Sequence, residues 1–383
     1  MNFKLQNIVP QLVTVLAVVL VFGFFSYNAQ VNMENRGIDF GYGFLSQESS
    51  FDVQFSLIEY DGSHSYFRAY LVGLLNTILV SVIGIIIATI LGIIVGVARL
   101  SPNYLINKFA AFYVEFFRNI PLLLQIFFWY FAALRALPLP QDADAMFGVF
   151  FLTIKGLYVP AFIWENFNVL FYSIIAAVIA IVVIRIHARK VQETQGKQLP
   201  VFWISIGLIL ILPLLSFLIG GVSLSFEIPK LKQLATTSFK YEGGLSLPPE
   251  LIALTLSLAL YTATFIAECV RAGIQGVGKG QKEAAASIGL NPNQVLKLVV
   301  MPQALRIIIP PTTNQYLNLT KNSSLAAAIA YPDLVLVFAG TALMQTGKAI
   351  EIVSITMLTY LSLSISISIL MNWYNKKIAI KEK

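Results

Sequence analysis

The stretch whose residue types and spacing most suggest chemistry is GIQGVGKGQKEAAASIGLNPNQVLKLVVMP, Gly273 to Pro302. Gly273, Gly278 and Lys279 fall on the pattern G-x-x-x-x-G-K-[ST], in which backbone N–H groups cradle nucleotide phosphates and the lysine reaches the terminal ones. The hydroxyl that should follow the lysine, to hold magnesium, is replaced by Gly280. The preceding residues, TLSLALYTATFIAECVRAGI, read as an apolar helix where the pattern needs a strand. Nothing elsewhere supplies a second acidic magnesium ligand after a buried strand. The glycines are therefore expected to mark the end of a helix and a turn, and no nucleotide is expected there.

Other chemistry-bearing residues are few. Cys269 is the single cysteine and lies in an apolar run, so neither a disulfide nor a thiol metal site can form within the chain. His64 and His187 are too few and too far apart for a histidine metal site. A membrane enzyme would need a metal cluster or a nucleophile with its base, and the chain has no G-x-S-x-G. What remains is a set of polar residues inside apolar runs: Glu268, and Asn318, Lys321, Asn322, Ser323 and Ser324 within NLTKNSSL. These are candidates for a translocation path. A charge at the centre of a span costs about 2.5–3.5 kcal/mol on insertion scales, so Lys321 should face protein or water. Two readings stay open for it: pairing with a carboxylate that holds helices together, or lining the path. The NLT and NSS triplets match a glycosylation pattern but fall inside an expected span, which argues against modification.

The elements that position these residues follow from composition. The chain has 383 residues, 57% hydrophobic and 12% charged, which places it among integral membrane proteins. A bilayer core needs about 20 mostly apolar residues per helix. Eight runs qualify: 9–26, 69–98, 110–135, 168–187, 200–221, 248–272, 308–330 and 350–373. The expected fold is all-α, with about eight transmembrane helices. The first run has a weak basic flank (Lys4) and no clear cleavage site, so it reads as a retained helix rather than a signal peptide. The segments 27–68 and 136–165 are long enough for short amphipathic surface helices, while FDVQFSLIEY has mixed periodicity and is left open. Pro310-Pro311 is expected to open the seventh span, and Tyr331-Pro332-Asp333 to end it. The segment to Lys348 is expected to fold back as a half-helix. Glu115 and Arg118, three apart, are expected to pair at the interface, in preference to a gating role.

The net charge is +7. Its basic residues sit in short segments between apolar runs, which fits the positive-inside bias and not nucleic-acid binding. Arg99 and Lys108, His187 to Lys197, Lys279 to Arg306, and Lys376 to Lys383 fall on one side, and the acidic segment 27–68 on the other. Both termini are then cytoplasmic. Lys230, Lys232 and Lys240, in the outer segment 222–247, run against the bias.

Within the opening stretch, Lys282 to Ile288 is alanine-rich and favours a helix. Gly289 suits the left-handed conformation that ends one. Asn291 is a good N-cap, with Pro292 at the first helical position. A second helix is expected to carry Val295, Leu298 and Val299 on one side and to end near Pro302.

Here the sequence resembles a known family. Glu283-Ala284-Ala285, Gly289, Val299, Met301 and Pro302 match the spacing of the E-A-A…G…I-x-L-P cytoplasmic motif of membrane subunits of ATP-binding-cassette importers, with Val for Ile and Met for Leu. EFFRNIPLLLQIFFWYF, LYTATFIAECVRAGIQGV and YLNLTKNSSLAAAIAYPDL resemble the polar amino-acid branch. GYGFLSQESSFDVQFSLIEY and the residues after it resemble a permease subunit of the broad-specificity L-amino-acid importers, which also has an extra first helix and inserted helices.

The resemblance implies a type I importer core over 69–374, with inserted helices at about 168–221, preceded by 1–68 and followed by a basic tail, 375–383. It implies a permease of the bacterial inner membrane that moves L-amino acids. Glu283, Ala284, Ala285, Gly289, Met301 and Pro302 would couple it to ATPase subunits. The implied partners are a second permease, two ATP-binding-cassette ATPases, an extracytoplasmic binding protein and lipid. ATP and magnesium would sit on the ATPases, and no cofactor or metal on this chain. The alternative is a secondary transporter or channel without ATP coupling, in which Glu268 would be the main candidate for ion coupling.

Overall fold

The computed structural model describes residues 5–35, 40–235 and 238–378. Two compact units emerge, one of the described residues up to Phe127 with those from Leu254 on, the other of Phe128–Ala253. Among the described residues seven helices are long and apolar enough to cross a membrane, and a bent pair brings the number to eight.

In the first unit, α1 (Leu5–Asn35) exposes its apolar side chains, Leu16, Phe22 and Phe25 among them. Residues 40–65 hold one 3-10 turn, Gly43–Ser46, in place of the amphipathic helix that the sequence suggested. Backbone bonds such as Ser49 N–H to His64 O (2.8 Å) and Ser50 N–H to Gly62 O (2.8 Å) fold this segment on itself. FDVQFSLIEY is irregular.

Helix α2 (Tyr66–Ala98) starts on Ser65, whose hydroxyl accepts the Arg68 N–H at 3.3 Å. It is apolar throughout but buries one face, and small residues recur along that face: Ala69, Gly73, Thr77, Ser81, Gly84, Ala88, Gly92 and Gly96. The spacing of three or four is the small-residue pattern by which helices approach closely in lipid, where no hydrophobic driving force acts between them. A Cβ added at Gly92 would lie 2.6 Å from the Ile266 side chain, and one at Gly96 2.7 Å from Ala267 O. At Gly73 it would lie 2.9 Å from Leu334 Cα. Hydroxyl pairs supplement the packing, Thr89 with Tyr316 (2.8 Å) and Tyr70 with Thr359 (2.9 Å).

The expected single span 110–135 is instead broken. α3 (Tyr104–Asn119) and the segment Leu122–Ala136, which begins with α4 (Leu122–Phe127), meet at 101°. The cause is Pro121. The residue before a proline is driven out of the helical region, and Ile120 is extended (φ −94°, ψ 129°). The Gln125 amide donates to the freed Phe117 and Ile120 carbonyls at 2.8 and 3.0 Å.

The second unit holds strands over 136–165, where the sequence suggested surface helices, and further strands over 223–247. They are β1 (Phe151–Thr153), β2 (Gly156–Val159), β3 (Ala161–Glu165), β4 (Ser223–Glu227), β5 (Lys230–Ala235), β6 (Ser238–Glu242) and β7 (Leu245–Leu247). All pairings are antiparallel: β1-β2-β7, β3-β4 and β5-β6. Aromatic side chains, which favour a pleated surface, supply the contacts missed in the sequence. Tyr241 lies 4.4 Å from Phe151 and 4.8 Å from Tyr158, between ring centroids. The β3-β4 ladder closes the hairpin of α5 (Phe167–Gln195) and α6 (Val201–Leu218), so both helices have a strand at the same end. The lysines that run against the charge bias are partly neutralised: Lys232 Nζ lies 2.8 Å from a Glu242 carboxylate oxygen on the adjoining strand.

α7 (Pro249–Gln275) leads to α8 (Lys279–Ser287) and α9 (Pro292–Gln294). From Pro292 the chain is helical to Ile329: α9, a π-helical turn Val295–Val300, α10 (Met301–Asn322) and a 3-10 stretch Ser323–Ile329. Two expectations fail here. The second helix does not end at Pro302, and Pro310-Pro311 lies inside α10 rather than opening it. The π turn lets the helix pass Pro302, because wider winding sends the Met301 N–H to Leu296 O, five residues back. The helix breaks at Ala330 (φ +58°) and Tyr331-Pro332-Asp333, where the sequence placed the end of the span. A short helix Val335–Thr346, whose last turn is α11 (Leu343–Thr346), precedes α12 (Ala349–Ile378). Phe44, Tyr66, Leu334, Phe338, Ala342 and Ile352 form a buried cluster there.

Gly96→Ala should destabilise the protein, because the new methyl meets a backbone oxygen that cannot turn aside; overpacking of this kind costs about 1–3 kcal/mol. Gly84→Ala meets only the flexible Leu319 side chain at 3.3 Å and gains helix propensity, so it should be neutral or stabilising. Melting temperatures in detergent check the contrast, and equal values would show that the α2–α7 approach is slack.

Candidate functional site

The first glycine of the apparent phosphate loop is a packing residue. Gly273 is buried within α7, and a Cβ there would lie 2.3 Å from Ile308 Cγ1 of α10. Lys279 is the first residue of α8. One end of the pattern thus packs α7 on α10, and the other starts a helix.

The corner after α8 is built from backbone bonds. Gly289 has φ +85°. Its N–H donates to Ala286 O (3.0 Å), and that of Leu290 to Ala285 O (3.3 Å), the pair of bonds that closes a Schellman motif. Asn291 then caps α9 in a capping box: Asn291 Oδ1 accepts the Gln294 N–H (2.9 Å) and Gln294 Oε1 accepts the Asn291 N–H (3.0 Å). Gly289, Asn291 and Pro292 take the positions that the sequence assigned them. Ala285 is buried, whereas Glu283, Ala284, Ala286, Ser287 and Gly289 are exposed. Ile288 at the tip is 77% exposed. Met301 and Pro302 are half-buried, at the join between the π turn and α10. Val295 and Val299 are half-buried as expected, but Leu298 is turned outward, since π winding changes the angular step of the expected stripe. The exposed tip Ile288 carries no sequence signal of its own, because an isoleucine between serine and glycine reads equally well as buried.

Glu268 is engaged by two arginines, Arg99 at the end of α2 and Arg271 one turn further along α7. Arg99 O in turn accepts the Asn107 amide at the start of α3. The Glu115–Arg118 pair expected from spacing does not form among the described residues. Arg118 lies over the Phe265 ring instead, 5.1 Å from its centroid.

The polar residues of α10 divide by helical phase. Asn318 and Lys321 are exposed, and Asn314, one turn earlier, extends the same face. The sequence reading missed Asn314, although its spacing of four from Asn318 was the signal. Asn322 and Ser324 are intermediate. Ser323 is buried, and its hydroxyl donates to Thr320 O at 2.7 Å. The opposite face, with Ala304, Ile308, Thr312, Leu319 and Thr320, packs inward. Lys321 has no ion-pair partner among the described residues. Helix α10 therefore exposes amide and ammonium groups on one side, a surface able to meet water, a polar solute or another subunit.

Residues 196–380 match the family described as "Binding-protein-dependent transport system inner membrane component". The chain is 48% identical over 378 residues to YhdX of Escherichia coli (strain K12), covering 97% of this chain and 94% of that one. It is 46% identical to the general L-amino acid transport system permease protein AapQ of Rhizobium johnstonii, over 99% of this chain and 94% of AapQ. It is 39% identical to the glutamate/glutamine/aspartate/asparagine transport system permease protein BztB of Rhodobacter capsulatus, over 99% of this chain and 95% of BztB. With identity of this level over nearly the whole length, and with the bilayer-crossing helices described above, the chain belongs to the multi-pass inner-membrane permeases of amino-acid ABC transporters.

Proposed function

We propose that this permease forms one half of a membrane pore for importing L-amino acids, and that it couples the pore to ATP hydrolysis through the corner from Glu283 to Pro302. A second permease completes the pore. Two ATPase subunits dock from the cytoplasm, where they bind ATP and magnesium. An extracytoplasmic binding protein delivers the substrate. The stretch Gly273–Gly280 is no nucleotide site in this reading: Gly273 is committed to helix packing, and Gly280 stands where a magnesium-binding hydroxyl is required.

The observation that carries this reading is the corner. An apolar tip, Ile288, is held out of the protein by a Schellman motif and a capping box, both fully bonded. An exposed apolar residue on a well-ordered support is what a docking contact requires. Basic segments support a cytoplasmic place for the corner and for both termini, and the strands β3 and β4, at the end of the α5–α6 hairpin away from the basic residues 187–197, fit an extracytoplasmic face. The substrate class rests on what AapQ and BztB are named for.

Asn314, Asn318 and Lys321 line the translocation path in this reading, with Asn322, Ser323 and Ser324 shaping the helix behind them. Glu268, held by Arg99 and Arg271, borders the path at the cytoplasmic end of α7. A conformational change driven by ATP needs contacts that differ between two states. Since α10 runs unbroken from the corner to Lys321, a push at one end reaches the other.

Gly289→Val should leave the fold intact and impair coupling. The space beside Gly289 is open, so the cost is backbone strain alone, about 1–2 kcal/mol. The variant should be produced normally, while co-purification of ATPase subunits and uptake into proteoliposomes both fall. Normal uptake would reduce the corner to a surface turn.

Lys321→Met removes the charge at similar length. On the path, it should give a complex that assembles and hydrolyses ATP but takes up amino acids at a changed rate or selectivity. Loss of the second permease from the purified complex would assign Lys321 to subunit pairing instead. Unchanged uptake and assembly would remove Lys321 from both roles.

A further inference from the structure

The break after α10 contains a buried acid with no counter-ion. Asp333 is fully buried. Its Oδ1 accepts the Leu336 N–H at 2.9 Å, which caps the short helix Val335–Thr346. Helix α2 holds the same turn from the other side. The Asn76 amide donates to Pro332 O (2.9 Å) and to Phe55 O (2.8 Å), and the Leu334 N–H donates to Thr77 Oγ1 (3.0 Å). The Tyr331 hydroxyl donates to Asn76 O at 3.3 Å. From α12, Tyr360 stands beside the carboxyl, and neither its hydroxyl nor Asp333 Oδ2 completes a hydrogen bond.

The groups that surround Asp333 leave its charge unbalanced. The ionisable ones are Tyr360 of α12 and Tyr331 of its own turn. Helix α2 presents the neutral Asn76 and Thr77, and the 3-10 end of α10 presents the neutral Ser323 near Tyr360. The 40–65 segment brings Asp52 to the cavity beside Pro332 and Leu336, where its carboxylate accepts the Gly62 N–H (2.9 Å). At the start of α12, Glu351 accepts the Gly41 N–H (2.9 Å). No ion pair among the described residues includes Asp333. A buried carboxylate with one oxygen unsatisfied and no cation nearby is far costlier than the neutral acid.

We propose that Asp333 is a positioning residue for transport: it carries its proton in this conformation, and it seats the short helix Val335–Thr346 between α2 and α12 while it does so. Burial holds the carboxyl well above the usual range, at about 7, against the pull of the backbone N–H groups of Leu336 and Val335. The sign of the linkage follows. Opening the turn to water returns the group to an ordinary carboxyl, which releases its proton. Opening is therefore favoured as pH rises from the ordinary carboxyl range towards 7, and it levels off once the seated acid ionises as well. The short helix packs on Gly73 and on the Phe44–Tyr66 cluster, so its release would loosen one end of the pore-forming unit near neutral pH.

Hydrogen exchange of residues 334–346 in the purified membrane complex, corrected for the intrinsic pH dependence of exchange, tests this without relying on uptake. Between pH 6 and pH 8 the opening constant should rise about tenfold and then flatten. In Asp333→Asn, which keeps the cap but stays neutral at every pH, the dependence should vanish, and protection at pH 6 should exceed that of the natural protein about a hundredfold, because opening no longer gains from release of the proton. In Tyr360→Phe, loss of the nearby donor should move the levelling-off to higher pH. A pH-independent natural protein, the same dependence in Asp333→Asn, or an unmoved profile in Tyr360→Phe would each overturn the proposal. Should Asp333→Asn fail to fold, the charge rather than the neutral acid is what the turn needs, and the proposal fails with it.

Discussion

Close approach of backbones along α2 is the constraint on which the first unit depends. Lipid chains are as apolar as leucine, so burying apolar surface does little to bring membrane helices together. Van der Waals contact and a few polar bonds must do it, and both need short distances. Gly73 against Leu334, Gly84 against Leu319, and Gly92 and Gly96 against α7 provide them. Each contact assigns α2 a partner at a different depth, so one helix sets the places of α7, of α10 and of the turn that follows α10.

The polar bonds fall where that approach is closest. Thr77 and Asn76 bond the broken turn one helical step beyond Gly73, Thr89 meets Tyr316 midway, and Arg99 meets Glu268 just after Gly96. Hydroxyl and amide partners in the interior avoid the cost of burying a charge. The ion pair lies at the helix end, where water can screen it. Asp333, a carboxyl in the interior with one oxygen unpartnered and no ion pair among the described residues, departs from this pattern.

Helix α10 joins the two candidate functional regions. Residues 301–321 span about 30 Å at 1.5 Å per residue, so Met301 and Pro302, where the proposed coupling corner ends, and the exposed Lys321 belong to one helix. Gly273 against Ile308 fixes that element to α7 near the corner. Displacement of the corner is then shared by α7 and α10, and through them by α2. The π turn at Val295–Val300 is the place where this path has a different winding, next to Met301 and Pro302.

Much of this was legible in the residues alone. Local rules act within a turn or two, and they placed the glycine corner, the Asn291 cap, the break at Tyr331-Pro332-Asp333 and most of the apolar spans. The near-match to a phosphate loop could be discounted from Gly280 alone. The spacing around Glu283 and Gly289 was specific enough to point to the family. Where the reading failed, the deciding interaction came from outside the local window. Pro121 broke a span because Gln125 could satisfy the freed carbonyls, whereas Pro302 and Pro310-Pro311 did not break α10, whose π turn and inward packing carry it through. The strands of the second unit depend on pairing partners up to some ninety residues away, such as Leu157 with Leu247, which a periodicity reading cannot see. Arg118 left Glu115 for an aromatic ring on α7. Burial of Asp333 and exposure of Lys321 are likewise tertiary facts, since a polar residue in an apolar run reads the same on either face of a helix. Sequence by itself determined the class, the spans and the corner, because hydropathy and turn chemistry are local. Only the tertiary structure decided which polar groups face outward and which are sealed in, because that depends on where the glycines of α2 let the neighbouring helices come to rest.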